Sequence, residues 1–256
     1  MAVSTPAAGP AGPDQTKIGT HNPYSALPNW LYPTFVAATL TIFGLYAMYT
    51  VFFEHEGRFG PYLSPFYSPE IRLSLGGFPI PPAIWVAWAP LAFRATCYYY
   101  RKAYFRSFFW HPRSCAVPEH NDSKKYKGET GLFVFNNFHR FAFYATVVQV
   151  AFLWFDAIVA FAYQGEFHLG LGNALLLINV ICLSGYTFGC HAFRHLAGGS
   201  SDCFSCTRTR FKLWKGITIL NIRHDRWAWV SLFTVWATDI YLRLLIHGGI
   251  PHGAWN

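Results

Sequence analysis

From Trp30 to Phe53 the chain reads WLYPTFVAATLTIFGLYAMYTVFF without a single charged residue. A helix of about 20 apolar residues crosses the ~30 Å hydrocarbon core of a bilayer, so this stretch reads as a membrane span. Pro33 falls in its first turn, where a missing N–H costs little. Four further apolar runs lie downstream. The second enters at Ile80-Pro81-Pro82 and ends near residue 100, with Pro90 expected to kink it and Arg94 near its end, where the side chain reaches the headgroups. The third runs from about 132 to 163, the fourth from 168 to 196 and the fifth from 227 to 247. Only Gln164 to Phe167 or so separates the third from the fourth, which makes them antiparallel neighbours. The fold class is therefore all-α: an integral membrane helical bundle with five transmembrane helices. Residues 1–28, rich in Ala, Pro, Gly and Thr, read as a flexible tail rather than a signal or transit peptide, and residues 29–256 as one membrane domain.

Composition agrees with this reading. Of 256 residues, 53% are hydrophobic and 20% aromatic, while 12% are charged, half the ~25% usual in globular domains. The formal charge of +8 would suggest nucleic acid in a soluble protein. Here 17 of the 20 Lys and Arg fall at Lys17 and in the connections from Arg94 to Arg140 and from Arg194 to Arg226. That asymmetry is the positive-inside pattern of a multi-pass protein of a bacterial cell membrane, with the N-terminus cytoplasmic and the C-terminus outside. No nucleic-acid partner is needed to explain the charge.

The basic face also holds most of the metal-ligand residue types. Gly189-Cys190-His191-Ala192-Phe193-Arg194-His195 is followed shortly by Cys203-Phe204-Ser205-Cys206. His191 and His195, four apart, share a face of any helix, and C-x-x-C is a spacing at which two thiolates hold one ion or one cluster iron. A disulfide is disfavoured on a reducing face. Two readings share His191, His195, Cys203 and Cys206 as ligands. One is a tetrahedral structural zinc; the other is a two-iron, two-sulfur cluster of Rieske type, with two thiolates and two imidazoles. The spacing departs from the usual Rieske signature, which pairs a Cys with a His in each of two loops, so Cys190, Cys115 and His111 on the same face are substitute ligands. A third reading is haem b, for which His139 near the basic end of the third span would face His191 or His195. The first two spans contain no histidine, which excludes a two-haem arrangement.

Asp156 and Asp239 are the acidic residues inside spans, both toward the opposite end. Intramembrane carboxylates cost roughly 2.5 to 3.5 kcal/mol at a helix centre and usually face the bundle interior. Asp239 has Arg243 at i+4 and reads as a structural ion pair. Asp156 has no sequence-local partner and, with His139 and Arg140, is a candidate for quinone binding or proton relay. Tyr98 to Tyr100 and Trp227 with Trp229 read as interfacial belts, and Cys97 and Cys182 as packing residues. No phosphate-binding loop or nucleophile–base set is present, which disfavours an enzyme acting alone, and the missing inverted repeats disfavour a transporter; a non-redox membrane protein with a structural zinc is the alternative class.

Five spans, a basic inner face and the GCHAFRH to CFSC segment resemble the one-chain membrane anchors of succinate:quinone oxidoreductases, and among them the actinobacterial, mycobacterial-type SdhC anchor. The resemblance implies a flavoprotein subunit that oxidises succinate, an iron–sulfur subunit docked on the inner face, and a higher oligomer of the complex. It implies further that a membrane-embedded Rieske-type cluster takes the place of haem and that electrons leave to menaquinone.

Overall fold

The computed structural model describes residues 28, 30–109, 138–199, 202–203 and 205–249. In chain order the elements are α1 (Leu31–Phe53), β1 (Arg58–Phe59), β2 (Tyr62–Leu63), β3 (Leu73–Leu75), β4 (Phe78–Ile80), α2 (Pro82–Val86), α3 (Trp88–Thr96), α4 (Tyr98–Phe108), α5 (Phe138–Val159), β5 (Ala162–Tyr163), β6 (Glu166–Phe167), α6 (Leu171–Phe188), α7 (His191–Gly198), α8 (Arg208–Ile222) and α9 (His224–Ile246).

Among the described residues four helices, α1, α5, α6 and α9, are long and apolar enough to cross a membrane, rather than the five expected. The difference lies in the second apolar run, which is divided into α2, α3 and α4. Pro90 has no N–H for the carbonyl of Val86, and the first break falls at Ala87, between α2 and α3. The second break falls at Cys97, whose backbone is extended (φ −61°, ψ 128°). The fourth run is also shorter than expected. It stops at Phe188, and extended Cys190 (φ −68°, ψ 146°) separates it from α7. There Asn221 of α8 donates to the Gly189 carbonyl at 2.8 Å, satisfying a group that the helix end leaves open.

The helices pack in a bundle in which α6 lies against both α9 and α5, α3 against α5, and α1 against α4. Large apolar side chains such as Leu45, Phe53, Phe155 and Ile158 point outward, with more than 60% of their surface exposed. Water would make that arrangement costly; lipid removes the cost. Inside, the core has two main parts. One, near the ends that carry the β-hairpins, gathers Tyr62, Val150, Leu153, Leu176, Leu242 and Leu245. The other, near the ends joined by the basic connections, gathers Phe93, Phe143, Tyr186, Ala228 and Leu232 with Cys97 and Cys190. These are called below the hairpin end and the basic end.

The α5–α6 connection expected as a tight reversal is the hairpin β5–β6. Its two loop residues, Gln164 and Gly165, have φ of 54° and 86°, the paired positive values of a type I′ turn. Two glycines let neighbours approach closely. A Cβ on Gly172 would lie 2.5 Å from the Tyr62 ring at the hairpin end, and one on Gly185 2.5 Å from the Trp227 ring at the basic end.

Candidate functional site

The ligand set suggested by spacing does not come together. His191 and His195 do share α7, but both are exposed, and His195 Nδ1 lies 3.1 Å from Arg140 Nη2. Cys203 and Cys206 are joined to each other in a disulfide, Cα to Cα 5.4 Å. The expectation that this pair stays reduced is therefore not met: the two-residue spacing lets the thiols reach each other on an exposed turn. His111 and Cys115 lie outside the described residues. Among the described residues no three His, Cys, Asp or Glu side chains are arranged as the ligands of one metal ion.

A different constellation forms inside the basic end. His139, one residue into α5, points its Nε2 at Cys190 Sγ, 2.9 Å away, while its Nδ1 lies 2.9 Å from Thr96 Oγ1. His224, the first residue of α9, places Nε2 3.5 Å from Cys97 Sγ, and its buried Nδ1 has no hydrogen-bond partner among the described residues. Two Cys–His pairs thus come from four separate segments. Helix ends supply all four side chains: the α3–α4 break, the start of α5, the α6–α7 break and the start of α9.

Aromatic rings tie the pairs together. His139 stacks on Phe93 at 4.8 Å and His224 on Tyr186 at 4.9 Å, and Phe93 meets Tyr186 edge-on at 5.3 Å. Cys97 and Cys190 are both buried, each about 1–2% exposed. Burial pushes the Cys190 thiol up to about 12, and the neighbouring Cys97 thiol adds to the effect. A thiolate here therefore needs a compensating positive charge, which a metal centre provides. The donors are chemically what such a centre requires: two sulfurs, two imidazoles and a site shielded from water.

Two of these residues escape a reading of the sequence alone. Cys97 reads as a packing residue, and His224 lies three residues before the expected start of the last span. The signal that would find them is depth: each ends an apolar helix on the basic side, level with His139 and Cys190. His139 was expected to face His191 or His195 across a haem; its Nε2 is instead engaged by Cys190, and His191 is exposed.

The acidic candidates sit at the hairpin end. Asp239 is fully buried and accepts hydrogen bonds from Tyr46 Oη at 2.6 Å, from Ser64 Oγ, and from Arg243 at 3.5 Å. Arg243 also pairs with Glu54 at 3.2 Å and donates to the Glu56 carbonyl. The expected i,i+4 ion pair is present and belongs to a larger clasp. Asp156 has a partner that sequence proximity could not supply, Ser68 Oγ from the connection between α1 and α2. Along α5 it is about 25 Å from His139 at 1.5 Å per residue.

Comparison with known proteins agrees with this architecture. The profile of the family described as actinobacterial succinate dehydrogenase subunit SdhC matches residues 31–248. Among solved structures, a chain of the Mycobacterium smegmatis Sdh1 complex in the apo form is similar. Sequence identity is 39%, the TM-score is 0.76, and the match covers 86% of this chain and 89% of that one. No curated protein matches the sequence.

Proposed function

The chain belongs to the actinobacterial succinate dehydrogenase SdhC family, and from that premise we propose that it relays electrons from an iron–sulfur subunit to menaquinone through a Rieske-type two-iron, two-sulfur centre. As a multi-pass membrane subunit it is part of an enzyme rather than an enzyme by itself. The partners implied are the flavoprotein and iron–sulfur subunits of succinate dehydrogenase.

One observation carries the proposal: two thiols and two imidazoles, from four segments, converge in a buried, aromatic-lined site at one end of the bundle. The ligands we assign are Cys97, Cys190, His139 and His224. Two thiolates with two imidazoles are the Rieske donor set, and the His224 Nδ1 left without a partner has the chemistry of a ligand atom. In a Rieske-type centre two thiolates would hold one iron and two imidazoles the other, whereas a tetrahedral zinc would need all four on one ion, and among the described residues no three such side chains are so arranged. When bound, such a centre passes one electron at a time at a potential that its histidines raise.

The chain's own residues prepare the site. Thr96 fixes the His139 ring from behind, as outer-shell partners of metal-bound histidines do, and Phe93 and Tyr186 hold the two imidazoles by stacking and keep water away. The positive-inside asymmetry puts this end on the cytoplasmic side, where a soluble iron–sulfur subunit can dock. In this reading α2, α3 and α4 together make one interrupted crossing beside the four long apolar helices. A quinone that takes electrons here binds near the basic end, where Arg140 lies, and not near Asp156.

The test is the purified complex, assayed for iron, acid-labile sulfide and zinc and by electron paramagnetic resonance with nitrogen hyperfine couplings. Wild type and the Cys203→Ser variant are expected to show a histidine-ligated two-iron signal, and Cys97→Ser and Cys190→Ser to lack it while the helices still insert. Stoichiometric zinc in place of iron, haem absorption, or loss of the signal in Cys203→Ser with its retention in Cys97→Ser would overturn the assignment.

A further inference from the structure

Arg94 stands one helical turn before Cys97, whose N–H bonds to the Arg94 carbonyl at 3.2 Å. Its guanidinium turns into the bundle. Nη1 donates to Tyr100 Oη at 2.5 Å and to the Ala228 carbonyl at 3.2 Å, and Nη2 donates to Ser231 Oγ at 3.0 Å. The Arg94 guanidinium carbon also lies 4.7 Å from the centre of the Tyr186 ring, the same ring on which His224 stacks. Every one of these partners is neutral. Among the described residues Arg94 forms no ion pair, in contrast to Arg243, Arg58 and Arg72, each of which meets a carboxylate.

A half-buried guanidinium without a counter-ion is costly unless something else in the site balances it. Arginine stays charged in proteins, so the charge is permanent and its position is fixed by three hydrogen bonds and two aromatic faces. A charge held a few ångströms from an electron-accepting group in a low-dielectric interior acts strongly on that group. Resting on the function proposed above, we infer that Arg94 is a positioning and potential-setting residue: a fixed positive charge beside the Cys97–His224 pair that raises the reduction potential of the centre those residues hold. An added electron brings negative charge to the site, and Arg94 stabilises the reduced form more than the oxidised one. Other groups reach the same donors: Asp225 next to His224, buried Arg101 near His139, and His191, which acts on both imidazoles. Asp225 is exposed, which screens it, whereas Arg94 is anchored against the ring that contacts His224.

The experiment is a redox titration of the assembled complex, followed by the electron paramagnetic resonance of the histidine-ligated signal, in wild type, Arg94→Gln and Arg94→Lys. Arg94→Gln keeps a polar side chain without the charge, and its midpoint potential is expected to fall. Arg94→Lys keeps the charge without the planar fork, and its potential is expected to stay near wild type. An unchanged potential in Arg94→Gln, or a fall of equal size in Arg94→Lys, overturns the inference. If Arg94→Gln does not assemble, Arg94→Lys decides alone: a wild-type potential supports the role of charge, a lowered one refutes it. Absence of the histidine-ligated signal in wild type would instead refute the underlying function, so the two failures are told apart.

Discussion

At the hairpin end buried Asp239 and Arg243 meet buried Ser64 and half-buried Glu54 and Tyr46, so that each of these charges meets its opposite or a hydroxyl. At the basic end Cys97, Cys190, His139, His224 and Arg94 are gathered, and among the described residues none of them hydrogen-bonds or ion-pairs with a carboxylate. Both clusters join helices distant in sequence, α1 to α9 in the first and α3, α5, α6 and α9 in the second. The first is complete by its own electrostatics and explains itself as a clasp. The second holds two thiols, an imidazole nitrogen without a hydrogen-bond partner and a guanidinium without an ion pair among the described residues, which is the chemistry the proposed cofactor site calls for.

Removing a charge from each end separates these roles. Arg243→Ala strands Asp239 and Glu54 in the interior, and breaking a buried pair costs about 3–5 kcal/mol. A collapse of thermal stability of the detergent-solubilised complex is expected. Arg94→Gln strands no anion; it loses hydrogen bonds worth about 1 kcal/mol each and should unfold closer to the wild-type temperature. Equal destabilisation by the two variants would erase the distinction between clasp and cofactor site.

Glycine replacements probe the two ends with matched steric insults. Gly172→Ala drives a methyl into Tyr62 and Gly185→Ala drives one into Trp227, each at 2.5 Å. Overpacking of this kind costs about 1–3 kcal/mol, so similar drops in melting temperature are expected. The spectra should differ: Trp227 borders the core around Cys97, so only Gly185→Ala is expected to perturb the paramagnetic signal. A perturbed signal in Gly172→Ala would mean that the ends are coupled.

The smallest effect concerns Glu70, in the connection between α1 and α2. Its partial burial raises the carboxyl pKa, but hydrogen bonds from Arg72 at 2.9 Å and Arg58 at 2.6 Å, with their charges, outweigh this and hold it below the usual range. A lowered folded-state value means that the pair stabilises above the ordinary carboxylate pKa, and that this contribution is lost as pH falls through the lowered one. Both arginines are well exposed, so the contribution is about 0–1 kcal/mol. Thermal unfolding of wild type and Glu70→Gln from pH 7 to pH 3 checks it: the difference should shrink on acidification.

How much of the site could be read in advance follows from distance along the chain. The Asp239–Arg243 pair was legible because i,i+4 is a contact that a helix guarantees. His139 and Cys190 were recognisable as candidates, but their pairing spans 51 residues and depends on how α5 meets the break after α6. Cys97 and His224 are 127 residues apart, and nothing local marks them. The Cys203–Cys206 and His191–His195 motifs drew attention because ligand spacing is a local pattern, yet the two cysteines close on each other and both histidines are exposed. Asp156, without a neighbour in sequence, obtained Ser68 from across the fold.

The sequence by itself determined the solvent, the helices and the sidedness of charge. Each rests on composition over one segment: an uncharged run long enough to span lipid, a proline that interrupts a helix, and lysines and arginines concentrated in two connections. Only the tertiary structure decided which cysteines and histidines meet. Spans that are apolar on nearly every face carry little periodic information about which side turns inward, so the rotation of each helix is set by close contacts such as Gly185 against Trp227. Those contacts bring four helix ends together around Phe93 and Tyr186.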